Sequence, residues 1–117
     1  MTFEEEFLAC LKAITPRVHA DFAPVTTARP YVTFQQVGGD VINPLDNSAP
    51  GKRLPEMQVN VWADNRMQAM ALIRAIEDAL RAASAFHARP AGDAVADFDA
   101  DVPVYGARQD FFCRYPK

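Results

Sequence analysis

Apolar positions along this chain change period several times, and each change marks an element. Phe3, Phe7, Leu8, Cys10, Leu11 and Ile14 recur mostly at three- and four-residue steps, the stripe of a helix that buries one side. Thr2-Phe3-Glu4-Glu5 supplies its start. A threonine hydroxyl accepts from the backbone N–H of the third helical residue, whose glutamate reaches back to the cap, and acids in the first turn suit the positive end of the helix dipole. The stripe stops at Thr15-Pro16, and the segment from Thr15 to Pro30 holds three prolines and no helical repeat. It predicts an extended connector in which Val18 and Phe22 dip into the core.

Tyr31-Val32-Thr33-Phe34-Gln35-Gln36-Val37 is β-branched and aromatic and runs into Gly38-Gly39-Asp40, which predicts a strand followed by a turn. Asp40 to Pro55 is polar, proline-bearing and without period, a long loop of the kind that is usually functional or mobile. Met57, Val59, Val61 and Ala63 then alternate with Gln58, Asn60 and Trp62, giving a second strand with one buried face. Asp64 is placed to cap a helix in which Met67, Leu72, Ile73, Ile76, Leu80 and Ala83 form the inner stripe, ending near Ser84. A Pro90-Ala91-Gly92-Asp93 turn precedes a weaker strand at Ala94–Phe98, and Gln109, Phe111, Cys113 and Tyr115 oppose Arg108, Asp110, Phe112 and Arg114 in a terminal strand.

The element order is therefore α-β-β-α-β-β. It implies an α+β fold: an antiparallel sheet of about four strands with two helices packed on one face. A chain of 117 residues is one domain long, so residues 1–117 are read as a single unit.

Composition narrows the classes. Half the residues are hydrophobic and 23% are charged, the balance of an ordinary globule. The first six residues carry three acids where a signal peptide needs a basic start, and no stretch approaches the roughly 20 apolar residues of a spanning helix. The expected location is the cytoplasm, with no membrane partner. A formal charge of −3 has the wrong sign for a protein that neutralises phosphates, and Lys52-Arg53, a basic pair without interleaved aromatics, reads as a solvated loop.

Candidate chemistry is sparse. His19 and His87, the two histidines, fall in expected loop or linker regions with no second histidine at ligand spacing. Cys10 and Cys113 each fall on an apolar face and read as reduced, buried thiols without a CxxC partner. Gly38-Gly39 lacks the further glycine and the lysine of a phosphate loop. Asp97, Asp99 and Asp101 open like a calcium loop, yet Val102 stands where the loop needs glycine and Arg108 where it needs glutamate. These residues predict no enzyme, no metal and no cofactor. Trp62, on an otherwise polar strand face, needs a cover, which a loop of the same chain or the surface of another subunit supplies.

Taken together, the capped first helix, Arg29-Pro30-Tyr31-Val32-Thr33-Phe34-Gln35-Gln36-Val37, the Met57–Ala63 strand with Trp62-Ala63, the Ala69–Leu80 helix and the closing Phe111–Tyr115 strand resemble the phage tail-completion family. The likeness spans nearly the whole chain and rests on structural residues. What it implies is a structural virion or prophage protein that terminates the tail and joins it to the head, assembling with itself as a ring, commonly a hexamer. Tail-tube and head-connector proteins are the implied partners, and the implied locations are the host cytoplasm during assembly and then the virion tail.

On that reading Trp62 with Val41, Ile42, Leu45, Lys52 and Arg53 of the mid-chain loop are candidate interface residues. Double-stranded DNA passes through the ring without specific binding, and Asp97, Asp99 and Asp101 are candidates for a lumen lining that repels its phosphates. A sphere of this mass has a diameter of about 35 Å, and six in contact enclose an opening of similar width. A small-molecule-binding regulatory domain is the alternative, because α+β sheets of this size also host ligand clefts.

Overall fold

The computed structural model describes residues 1–116 and contains two helices and six strands. In chain order they are α1 (Phe3–Lys12), β1 (Val18–Ala20), β2 (Tyr31–Asp40), β3 (Lys52–Ala63), α2 (Arg66–Ala82), β4 (His87–Pro90), β5 (Val95–Asp99) and β6 (Val104–Pro116). The α+β class is as expected, but the sheet has six strands instead of four. Its order is β1-β2-β3-β6-β4, with β5 also paired to β6.

Helix α1 starts as its sequence dictates. The Thr2 side chain accepts from the Glu5 N–H at 3.2 Å, and Glu5 accepts from the Thr2 N–H at 3.1 Å. These bonds hold the Glu5 carboxyl below its usual range. Phe3, Phe7 and Leu11 are buried, and Phe7 packs against Phe3, Phe34 and Phe86 with ring centroids 5.3–5.7 Å apart.

Helix α2 buries Ala69, Ile73, Ile76 and Leu80. Its cap is Asn65, which accepts from the Gln68 N–H at 2.8 Å, and not Asp64. Met67, two positions before the buried Ala69 and so about 200° around the helix, faces outward, 81% exposed, and does not belong to the inner stripe.

β3 and β6 form the spine of the sheet, antiparallel from Lys52↔Pro116 to Ala63↔Tyr105. The inward-facing Met57, Val59, Val61, Ala63, Ala107, Phe111 and Cys113 join Val32, Phe34 and the buried faces of both helices in one core. Both helices therefore cover one face of the sheet. The other presents Gln58, Asn60 and Trp62 of β3 and Arg108, Asp110, Phe112 and Arg114 of β6.

Several expectations change. The connector contains β1, paired parallel to Val32–Phe34, which buries Val18; Phe22 is exposed at 77% because the chain turns outward at Asp21, a residue with positive φ. Gly38-Gly39-Asp40 is not a turn but the end of β2, past an irregularity between Gln36 and Gly38, and Lys52 and Arg53 lie in β3. The loop therefore shrinks to 41–51. At Gly39 (φ 139°) an added Cβ would strike the Leu54 carbonyl and lie 2.8 Å from the Pro55 Cα, so this close crossing of strands requires glycine.

His87 and His19 sit in β4 and β1 and not in loops. β4 pairs Ala88 with Cys113 and was masked in sequence by its length of four residues and its proline. Cys113 is buried and its thiol is pushed up to about 12 by burial, whereas Cys10 is only half-buried, with its thiol also raised by burial.

The long β2–β3 and β6 strands draw the molecule out to 52 × 25 × 24 Å with a radius of gyration of 15.2 Å, a rod and not the sphere expected from its mass.

Candidate interaction surfaces

The two ends of the rod differ. At one end the β2–β3 hairpin outruns the helices: from Gln35 to Asp40 every β2 residue is exposed, as are Lys52 and Arg53 opposite. The tip carries Val41 (66% exposed), Ile42 (38%) and Leu45 (108%). Among the described residues Leu45 has no cover, and Val41 and Ile42 are covered only in part. Val41, Ile42, Leu45, Lys52 and Arg53 thus share one arm.

Trp62 belongs elsewhere. It sits ten residues along β3 from Lys52, roughly 33 Å at strand spacing, and half-buried on the sheet face away from the helices. Its ring lies across Gly106, where a Cβ would come within 3.0 Å of Cζ3 and 3.3 Å of the Asp97 Cβ. Tyr31 is its cross-strand neighbour. Arg66 fixes this corner: its guanidinium donates to the Gly106 carbonyl at 2.6 Å and to the Asp97 carbonyl, and lies 5.5 Å from the centre of the Tyr105 ring. The cover for Trp62 is thus partly a glycine of the same chain, a signal present in sequence at Gly106 but readable only with the register in hand.

Asp97 and Asp99 lie in β5 and Asp101 in the turn after it, all exposed. Asp97 accepts from the Phe98 N–H and Asp99 from the Asp101 N–H, each at 2.9–3.0 Å. Among the described residues no three acidic, histidine or cysteine side chains gather as a metal site. Among the described residues no helix is long and apolar enough to cross a membrane.

Sequence reasoning missed a trough at the arm end of the outer sheet face. It has a volume of about 450 Å³ and is lined by Asp40, Leu54, His87, Arg89, Phe112 and Arg114, with Ala88 and Cys113 also in contact with it. Arg89 lies 5.1 Å from the centre of the Phe112 ring. The alternation Arg108-Asp110-Phe112-Arg114 marks one wall; β4 supplies the other, and its pairing was not legible. Nearby, burial, then Asp110 and Asp40, push the Glu56 carboxyl above its usual range.

On the core face, Gln109 is buried and donates to Glu77 at 2.8 Å and to the Gly92 carbonyl at 2.9 Å. That bond, with Arg81 and Arg74, holds the Glu77 carboxyl below its usual range.

The arrangement defines a class: a small α+β domain with one sheet face closed by helices, the other open and charged, and a projecting hairpin with exposed apolar residues at its tip. The family model of "Tail completion protein gp17" matches residues 6–115, and the chain belongs to that family. The motif at residues 29–37 is structural in this setting. Arg29 donates to the Pro103 carbonyl at 2.7 Å and pairs with Asp64 at 3.4 Å, while Val32 and Phe34 enter the core.

Among solved structures, a chain from one described as the virion of a native gene transfer agent particle is 23% identical, with a TM-score of 0.59 over 92% of this chain and 84% of that one. At that identity the likeness is one of fold. No curated protein matches the chain.

Proposed function

We propose that this protein is a non-enzymatic virion component that completes the phage tail and joins it to the head by assembling as a ring of copies, with the arm and the outer sheet face making the contacts. Membership of the tail completion family supports the reading. The observation that carries it is the arm: Val41 and Leu45, with Ile42 partly exposed beside them, stand at the tip of a hairpin beyond the end of its ladder, and apolar patches exposed in this way mark interaction surfaces. Six subunits in a ring enclose an opening at least as wide as the 25 Å cross-section of one. A net charge of −3 disfavours retention of DNA in transit. Tail-tube and head-connector proteins are the neighbours on this reading, with assembly in the host cytoplasm and residence in the virion tail. The trough of about 450 Å³ is an open groove in a sheet face with a charged lining, which suits a macromolecular contact better than the enclosed apolar pocket of a metabolite sensor.

Deleting the gene from a phage or inducible prophage tests this. Electron microscopy is expected to show filled heads without tails and free tails of irregular length, both restored by supplying the protein in trans. Normal virions from the deletion strain overturn the reading.

A further inference from the structure

The two ends of the outer sheet face carry opposite charges that the chain offsets only in part: Asp40 lies among the cations at one end, and Arg66 reaches the Asp97 carbonyl at the other. At the arm end Arg89 and Arg114, with His87 beside them, line the concave trough, and Lys52 stands beyond it opposite Pro116. At the other end stand Asp97, Asp99 and Asp101 on the exposed strand β5 and its turn. Among the described residues, none of these six charged side chains makes an ion pair within the chain; the pairs formed are Arg29–Asp64, Arg74–Asp93 and Arg81–Glu77.

Each set has apolar company. Phe112 and Leu54 lie in the trough, and Val95, Phe98 and Val102 are each about half exposed around the carboxylates. Shape is complementary as well as charge, since one end is a groove and the other an edge strand with a projecting turn. The two cannot meet within one molecule. Asp99 pairs with Val104 and Lys52 with Pro116, at opposite ends of the 13-residue β6, roughly 40 Å apart at strand spacing.

We infer that the occupant of the trough is a second copy of this chain, whose β5 edge and following turn enter it head to tail. The inference rests on the ring reading above and deepens it by naming the contact. A head-to-tail contact uses two different patches, so it repeats from copy to copy and closes as a ring when the rotation allows. It assigns Asp97, Asp99 and Asp101 to the subunit boundary and not to the lumen. Asp40 in the trough and Glu56 beside it offset part of the positive charge; the cations nearest the open end, Lys52, Arg114 and Arg89, are the ones the carboxylates reach. Rotating the long axis of each subunit toward the circumference follows from joining its ends.

Charge exchange tests the contact. Two variants are made, Lys52→Glu/Arg89→Glu/Arg114→Glu and Asp97→Lys/Asp99→Lys/Asp101→Lys; all six positions are exposed. Circular dichroism checks that each folds, and Arg89→Gln/Arg114→Gln serves as a milder version. Sedimentation velocity at low salt is expected to show the wild type as a closed multimer, each triple variant alone as a monomer, and the equimolar mixture as a multimer of alternating subunits. The glutamine variant is expected to associate about tenfold more weakly, and 1 M salt, where screening acts within roughly 3 Å, to weaken the wild type. Triple variants that assemble like the wild type overturn the contact and leave the ring standing. A mixture that stops at a heterodimer overturns the head-to-tail geometry. A wild type that is monomeric at every concentration overturns the ring itself, and the contact with it.

Discussion

The β2–β3 hairpin has two halves built on one antiparallel ladder, and they behave as different materials. In the half nearer the helices, Val32 and Phe34 face Val61 and Val59, all at most 4% exposed, beneath Phe7, Ile73 and Ile76. In the outer half, Gln35 to Asp40 continue the ladder opposite Gln58 to Leu54, with every one of these β2 residues exposed, while Lys52 and Arg53 pair with β6. The ladder alone supplies pairing, but burial of apolar surface supplies most of the stability. The inner half therefore holds the fold, while the outer half is free to be spent on contacts with other molecules. Its Val37, Val41, Ile42 and Leu45 stay exposed in the monomer, and on the proposed reading neighbouring molecules cover them.

Substitutions that pull the halves apart sharpen this contrast. The largest effect is expected in the inner half: Phe7→Ala empties a fully buried site among Phe3, Phe34 and Phe86 and should cost roughly 3–5 kcal/mol in urea unfolding. A loss below about 1 kcal/mol would show that the core does not hold the hairpin. At the junction, Gly39→Ala forces a Cβ onto the Leu54 carbonyl at a positive φ and should cost about 1–3 kcal/mol. Hydrogen exchange is expected to accelerate at Asp40 and Leu54 while Val59 and Val61 stay protected.

A smaller effect is expected at the polar contact under α2. Glu77→Gln removes the carboxylate that Gln109 and Arg81 donate to, at about 1 kcal/mol near pH 7. Because the folded carboxyl lies below its usual value, the contribution is present above the unfolded pKa and is lost as pH falls through the depressed one. The gap between wild type and variant should therefore narrow only as pH falls below the ordinary carboxyl range and through the depressed value; a gap that is unchanged in strong acid would deny the ionised carboxylate any role.

The smallest effect on stability is expected at the tip. Leu45→Ser should change unfolding by less than about 0.5 kcal/mol yet weaken self-association in light scattering. Weakened folding with intact association would reverse the roles assigned to the two halves.

Helix α1 was legible residue by residue because its cap and its stripe are local: Thr2 and Glu5 bond within one turn. The alternation in β3 and β6 was legible for the same reason, since a strand facing one core must repeat every second residue. β4 was not, because four residues ending in proline acquire strand geometry only by pairing with Arg114 to Phe111. Gly38-Gly39 read as a turn because glycine pairs usually are; here the sequence supplied the backbone freedom, and the partner strand decided that it serves a crossing.

By itself, then, the order of residues determined the class of fold, the family and which faces are apolar, because capping, periodicity and charge act over a few neighbouring positions. Only the tertiary structure decided what lies beside what. It set Trp62 on Gly106, moved Lys52 and Arg53 from a loop into an arm, and brought Arg89 and Arg114 together from separate strands around one trough. Such juxtapositions depend on register and pairing across the sheet, where a shift of one residue sends a side chain to the opposite face, and no local signal carries that information.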